Sequence, residues 1–194
     1  ARKDGGAAVL AAGDRLSGVL GTVAALLRVR PGYETAVSAA LGPLADAVAV
    51  GSVSEAVDAL TLLKSDDAGR ASLLVGGAPA PDRSSWPALP PGAVWAVDAV
   101  EAPEALRGSV GVALARVALV DDLAGARSLV REHDLVAVTR EGDVVAVGVV
   151  HGGSASAPSL LEVQAAVDEA RAKLDDATHR YERAKFELVG ALEA

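Results

Sequence analysis

The stretch AVAVGSVSEAVDALTLL, residues 47–63, decides the fold because it joins a buried strand to a capped helix. Residues 47–50 carry small or β-branched apolar side chains, as expected for a strand covered on both faces. Ser52 and Glu55 have the spacing of a capping box, which marks the beginning of a helix. The apolar side chains that follow recur at helical spacing, at Ala56, Ala59, Leu60 and Leu63.

A similar stretch, VALVDDLAGARSLV at residues 117–130, begins 70 residues after the first. Another apolar run follows each stretch, at 71–75 and at 135–139, so that each copy reads as strand, helix, strand. The pattern predicts an α/β (α+β) fold made of two related subdomains with mixed sheets. Chance recurrence in a sequence rich in Ala and Val is the alternative explanation.

Glycine and proline divide the chain into segments. We predict a short N-terminal coiled-coil arm, a folded domain built from two subdomains and a proline-rich connection, and a returning coiled-coil tail helix. Their boundaries are 1–17 for the arm, 18–153 for the domain (18–76 and 93–153 for the subdomains, 77–92 for the connection) and 154–194 for the tail.

Shorter patterns predict further elements inside the domain. Alternating apolar residues predict a strand over 19–29, and a helix over 33–41 is ended by Gly42-Pro43. Glu141-Gly142 predicts a hairpin turn that leads into a strand over 143–150.

The tail has the heptad pattern of a coiled coil. Pro158, Ser159 and Glu162 mark its beginning with a second capping box. The predicted seam consists of Leu160, Val163, Val167, Ala170, Leu174, Ala177, Tyr181, Ala184 and Leu188. Basic residues flank this seam, so we expect a partner helix with apolar knobs and acidic flanks. A solitary amphipathic helix folded onto the domain is the alternative.

Composition argues against catalysis and against a membrane protein. Apolar residues make up 51% and charged residues 23% of the chain, which is typical of a folded domain, and the N-terminus has no apolar signal core. Cys is absent, which excludes thiol chemistry. No Gly precedes a Lys and no Gly-x-Gly occurs, so we expect no nucleotide site and no cofactor. Met is also absent, which indicates a piece of a longer protein.

The remaining polar candidates have ordinary structural explanations. His133, His151 and His179 lack a neighbouring His or Cys at ligand spacing, so we predict helix-end or surface positions for them. The acidic pairs Asp66-Asp67 and Asp121-Asp122 lie next to predicted helices, where they are expected to act as caps.

A glycine-rich segment precedes the tail, at residues 148–154. Gly148, Gly152 and Gly153 would let a second backbone approach closely, which predicts a strand edge for a partner subunit. A flexible joint between the domain and the tail is the alternative.

The ordered set of motifs resembles the hinge domain of SMC (structural maintenance of chromosomes) proteins of the bacterial condensin type. The stretches that carry the resemblance are 18–23, 33–42, 46–50, 62–71 and 138–154, followed by coiled coil. The first glycine pair of that family is Gly148-Val149 here, and the spacing to Gly152 is one residue shorter.

The resemblance implies a two-fold, ring-like homodimer at the end of an intramolecular coiled-coil arm, with ATPase heads at the far end of that arm. It places Gly148, Gly152 and Gly153 at the dimer contact and pairs the tail with the N-terminal coil of the same chain. A cytoplasmic, nucleoid-associated protein is implied. Family hinges often contact DNA; a net charge of −8 makes this weaker here, and the candidate contacts are Arg28, Arg30, Lys64 and Arg70.

A second hypothesis is a small-molecule-binding α/β domain with a helical extension. In such folds a ligand cleft forms at the carboxyl ends of the strands, here around Val50-Gly51 and Val120-Asp121.

Overall fold

The computed structural model describes residues 4–153 and 158–192, with side chains as far as residue 187. The chain is a mixture of α-helices and β-strands, as the sequence predicts. The helices are α1 (Gly5–Ala11), α2 (Val23–Leu26), α3 (Glu34–Leu41), α4 (Val53–Ser65), α5 (Glu104–Ala113), α6 (Leu123–Glu132) and α7 (Leu160–Leu192). The strands are β1 (Val19–Thr22), β2 (Arg28–Val29), β3 (Val48–Val50), β4 (Leu73–Val75), β5 (Val94–Trp95), β6 (Val100–Glu101), β7 (Val117–Val120), β8 (Val136–Thr139), β9 (Val144–Ala146) and β10 (Val149–His151).

The repeated strand–helix–strand unit is present in both halves of the domain. In the first half β3 and β4 are parallel and α4 connects them; in the second half β7, α6 and β8 have the same arrangement. Ser52 caps α4 by accepting from the Glu55 amide at 3.3 Å, and Asp122 caps α6 by accepting from the Gly125 amide at 2.8 Å. Both inner strands, β3 and β7, are buried along their whole length, which explains their uninterrupted apolar sequences.

The predicted single strand over 19–29 is wrong. The Thr22 hydroxyl accepts from the Ala25 amide at 3.2 Å, which caps the short helix α2 and separates β1 from β2. Val23, Ala24 and Leu27 are all buried, at the i, i+1 and i+4 spacing of one helix face. The separation lets β2 pair antiparallel with β6 of the second half.

The predicted single strand over 143–150 is also wrong, although the Glu141-Gly142 turn is confirmed. The chain reverses a second time at Val147-Gly148, because Gly148 has φ +82°, and β10 returns antiparallel to β9. The second sheet therefore has five strands in the order β10-β9-β8-β7-β5, and the first sheet has three in the order β1-β3-β4.

One hydrophobic core continues through both subdomains. It combines side chains of α3, such as Val37, with Leu106 of α5 and with Leu119 and Val138 of the second sheet. The proline-rich connection also packs against the body. Arg83 in that connection donates two hydrogen bonds of 2.7 Å to Asp98, which lower the pKa of the Asp98 carboxyl.

The N-terminal helix α1 packs against α4, β1 and β3. Its Val9 side chain is fully buried beside Val48, Ala59 and Leu63. Residues 5–11 thus cover the first subdomain, and the assignment of residues 1–17 to a coiled-coil arm stays a prediction.

The tail helix α7 begins at the predicted capping box. The Glu162 carboxylate accepts from the Ser159 amide at 2.7 Å, and the Glu162 amide donates to the Ser159 hydroxyl at 3.2 Å. Leu161 inserts into the core, and the Thr35 hydroxyl of α3 donates to Glu162 at 2.8 Å. The whole helix is about 50 Å long, and beyond this attachment its described side chains are mostly exposed. Within the described ranges, 4–153 and 158–192, no helix is long and apolar enough to cross a membrane.

Candidate functional site

The strand β10 is an open edge of the five-stranded sheet. It pairs on one side with β9 and is last in the sheet order, so its other side presents backbone N–H and C=O groups. All three of its residues are exposed; Val150 is 66% exposed, and the neighbouring Val147 is also uncovered. An exposed apolar edge of this kind is suited to pairing with a second strand.

The three predicted interface glycines have three different surroundings. Gly148 and Gly153 have φ of +82° and +135°, and a Cβ at either position would have no described atom within 4 Å. Gly152 is different, because a Cβ there would lie 2.1 Å from Asp143 Oδ1. The glycine at 152 is therefore required by a contact within the chain itself. Its substitution alone cannot test a contact with a partner.

Asp143 is the functional candidate that sequence reasoning missed. Its side chain is buried, with the residue 8% exposed, at the turn between β8 and β9. It accepts from the Thr139 hydroxyl at 2.9 Å and from the Gly153 amide at 3.1 Å. The available signal was a Thr four residues before an Asp across a turn, but acids beside turns are usually solvated. The contact with Gly153 depends on the return of β10, which the sequence did not predict.

The first sheet has an outer strand of its own in β1, which is last in the order β1-β3-β4. Its Leu20 side chain is exposed. The opposite outer strand, β4, is approached by α5, whose Ser109 hydroxyl donates to the Val75 carbonyl. The domain thus presents β1 and β10 as outer strands of two different sheets.

The four candidate DNA contacts lie in different places. Lys64 and Arg70 line one groove at the end of α4. Arg28 lines another groove, between β2 and α7. Arg30 donates to the Asp98 carbonyl at 3.1 Å. All four side chains are exposed, but the structure does not bring them together as one basic surface.

The groove beside Arg28 is acidic. Its lining includes Glu34, Glu162, Asp168 and Glu169. The pKa of the Glu162 carboxyl is lowered, most strongly by the hydrogen bond from the Ser159 amide and also by the hydrogen bond from the Thr35 hydroxyl. A hydrogen bond from Lys173 lowers the pKa of Glu169. Glu162 and Glu169 therefore stay ionised at neutral pH and oppose a phosphate at Arg28.

The predicted seam of α7 is uncovered. Its described side chains from Leu160 to Tyr181 and Ala184 are exposed, with Leu174 65% exposed. Leu188 lies within the helix, but its side chain is outside the described residues. The side chain that docks on the body is Leu161, which is adjacent to the seam. The seam therefore remains available to a partner helix.

The strand ends predicted for a small-molecule cleft are filled by the chain's own side chains. At the end of β7, Arg140 donates to Asp121 at 2.7 Å and to the Tyr33 hydroxyl at 3.1 Å. At the end of β3, the Glu55 carboxylate lies against Gly51, where a Cβ would be 2.8 Å from it.

The histidines and acidic pairs occupy ordinary positions. His133 ends α6, His151 is exposed on β10, and His179 lies on the exposed part of α7. Asp66 ends α4 and forms an ion pair of 3.1 Å with Arg15. Among the residues that the structure describes, no group of three His, Cys, Asp or Glu could hold a metal ion.

An α/β unit with two strand–helix–strand repeats and open strand edges, attached to a long helix with an exposed apolar seam, presents two kinds of surface for contact with other polypeptide segments. The family model of the SMC proteins flexible hinge domain matches residues 16–130. The chain belongs to this family of SMC hinge domains.

Known relatives and solved structures agree with the family. The chromosome partition proteins Smc of Mycolicibacterium paratuberculosis and Mycobacterium tuberculosis are 46% and 45% identical over 98% of this chain. The chain spans 16% of the length of each of these relatives. A crystal structure of an asymmetric dimer of the Geobacillus stearothermophilus SMC hinge domain has a TM-score of 0.75 and 34% identity, covering 93% of this chain and 78% of that one.

Proposed function

We propose that this chain is the homodimerisation hinge of a chromosome partition protein of the SMC type, joining two coiled-coil arms at their distal ends. The open edge of β10 is the observation that carries the proposal. Similarity to a hinge solved as a dimer supports it. In the longer protein the arms lead to ATPase heads, and the whole molecule associates with the nucleoid in the cytoplasm.

Two-fold symmetry explains how two open edges can be satisfied at once. In a two-fold dimer each surface patch is used twice, once on each copy. Strand β10 of one copy pairs with β1 of the second copy, and the second copy returns the same contact. Two such contacts close a ring and leave neither outer strand exposed.

Replacement of Val150 by Lys tests the edge. The side chain is exposed, so the monomer is expected to fold normally, whereas a lysine on an edge strand hinders pairing with another strand. We expect Val150→Lys to weaken the dimer by at least about tenfold in sedimentation equilibrium, a change of about 1.4 kcal/mol. Val53→Lys is the matched control, because Val53 is 69% exposed on the helix α4.

The control should keep the affinity of the parent chain. A parent chain that is monomeric at high concentration would contradict the proposed function. A Val150→Lys dimer of unchanged affinity would show that β10 is not the contact.

DNA contact is a second proposal, limited to Lys64 and Arg70. Their support is that both are exposed and line one groove together with a single acid, Asp67, whereas Arg28 lies among four carboxylates. The net charge of −8 allows only a local, salt-sensitive contact.

A further inference from the structure

We propose that Asp143 is a positioning residue of the dimerisation site: it clamps the Gly152-Gly153 segment and thereby holds the outer edge of β10 ready for a second copy. This inference rests on the proposed function, which it deepens by naming the residue that shapes the contact surface. Asp143 itself lies behind the edge, so it acts through the backbone that it holds.

The Asp143 side chain is buried. A polar group removed from water is costly unless it is hydrogen-bonded. The structure gives this carboxyl group two donors, the Thr139 hydroxyl on β8 at 2.9 Å and the Gly153 amide at 3.1 Å. The Asp143 amide in turn donates to the Thr139 hydroxyl at 3.0 Å. The clamp is thus anchored on a strand in the middle of the sheet.

The Asp143 carboxyl group occupies the space that a side chain at residue 152 would need. A Cβ at Gly152 would lie 2.1 Å from Asp143 Oδ1 and 3.0 Å from Asp143 Cγ. Either the carboxyl group or the segment would have to move, and the bond to the Gly153 amide would be strained or lost. Gly152 and Asp143 therefore form one contact, and a change on either side breaks it.

Strand β10 ends at His151, immediately before the clamped residues Gly152 and Gly153. Its three residues pair only with β9, and an outer strand with one neighbour opens easily by local unfolding. Fixing Gly152 and Gly153 holds the end of β10 in place. A preorganised edge loses less conformational freedom on association, which increases affinity without adding a contact to the partner.

A double-mutant cycle tests the clamp in the full chain. Asp143→Ala and Gly152→Ala should each weaken the dimer by about tenfold, the effect of losing one hydrogen bond to a carboxyl group. Because both changes break the same contact, the double variant should be no weaker than the weaker single variant. Asp143→Asn keeps an oxygen for the Gly153 amide and should recover most of the affinity. Asp98→Ala removes an equally hydrogen-bonded acid far along the chain and should leave the dimer unchanged.

Amide hydrogen exchange, measured at a chain concentration below the dimer dissociation constant, distinguishes a positioning role of Asp143 from a contribution to the stability of the whole domain. Asp143→Ala should lose protection at residues 149–153 and keep it in β7 and β8. Additive losses in the cycle, or faster exchange through the whole sheet, would overturn the proposal, as would an Asp143→Ala dimer of parental affinity. If Asp143→Ala does not fold, Gly152→Ala and Asp143→Asn report on the same contact.

The two proposals fail differently. A monomeric parent chain overturns the dimerisation function. In that case the amide hydrogen exchange of residues 149–153, compared between the parent chain and Asp143→Ala, tests the clamp by itself. A parent dimer that survives Asp143→Ala unchanged keeps the function and removes the clamp.

Discussion

Glu162 shows how one residue attaches a long helix to a folded domain. Its carboxylate receives the Ser159 amide of its own helix start and the Thr35 hydroxyl of α3. The sequence predicted the first partner, because a capping box is local. It did not predict the second, because Thr35 lies 127 residues away and meets Glu162 only when α7 docks.

This arrangement predicts a pH-dependent contribution to stability. The donors lower the folded-state pKa of Glu162, so its stabilisation is present above the ordinary pKa of a glutamate and is lost as the pH falls through the lowered value. Glu162→Ala should lower the free energy of unfolding by about 1 kcal/mol at pH 7. Urea denaturation at fixed chain concentration should show the difference shrinking on acidification below the range of ordinary glutamates.

Glu169→Ala provides the control for this measurement. Glu169 lies on the same helix and pairs with the exposed Lys173, so its loss should cost less than about 0.5 kcal/mol. A pH-independent effect of Glu162→Ala would contradict the prediction.

Among the helices and strands, the sequence predicted those whose apolar periodicity and capping residues lie within the element itself. The strand–helix–strand units, their caps and α7 have periodicity and cap residues within a few positions of each other. The strands over 19–29 and 143–150 were interpreted wrongly because apolar alternation continues through α2 and an unbroken run of apolar residues and glycine continues through the Val147-Gly148 turn. The packing of α2 against α7 and against residues 42–46 ends the first strand, and the pairing of β10 with β9 ends the second.

The exposed seam of α7 predicts binding of a second helix, which we propose to be the N-terminal coil of the same protein. A designed five-heptad peptide with apolar a and d positions and acidic flanks is the test partner. Leu174→Glu should weaken its binding by at least about tenfold, since a charge would enter the seam. Circular dichroism and fluorescence anisotropy would follow the complex.

Phe186 supplies the control on the same helix. It is 82% exposed but lies outside the heptad seam, so Phe186→Glu should leave peptide binding unchanged. Equal effects of the two variants would indicate non-specific hydrophobic contact in place of a coiled coil.

At the scale of the whole molecule, charge limits any contact with nucleic acid. An acidic chain repels phosphate, so only a local basic groove can bind it. Lys64→Glu with Arg70→Glu should abolish most duplex and single-stranded DNA binding at low salt and should reduce the slope of log affinity against log salt by about 2. Fluorescence anisotropy at two salt concentrations measures this slope.

Arg28→Glu should have little effect on that binding, because Arg28 already lies among carboxylates. Loss of binding in Arg28→Glu, with the other variant unaffected, would place the contact at the base of α7 instead.

The sequence by itself determined the mixed α/β class, the two strand–helix–strand units, the capped tail helix and the family. Periodicity and capping act over a few residues, so they can be read without knowing the fold. Only the tertiary structure decided that β10 is an open edge, that Gly152 leaves room for the Asp143 carboxyl group, and that Arg28 lies in an acidic groove. The acidic groove forms only when α7, far along the chain, packs beside Arg28. The open edge and the contact of Gly152 with Asp143 depend on β10 returning along β9, and the uninterrupted apolar run through both strands does not encode that reversal.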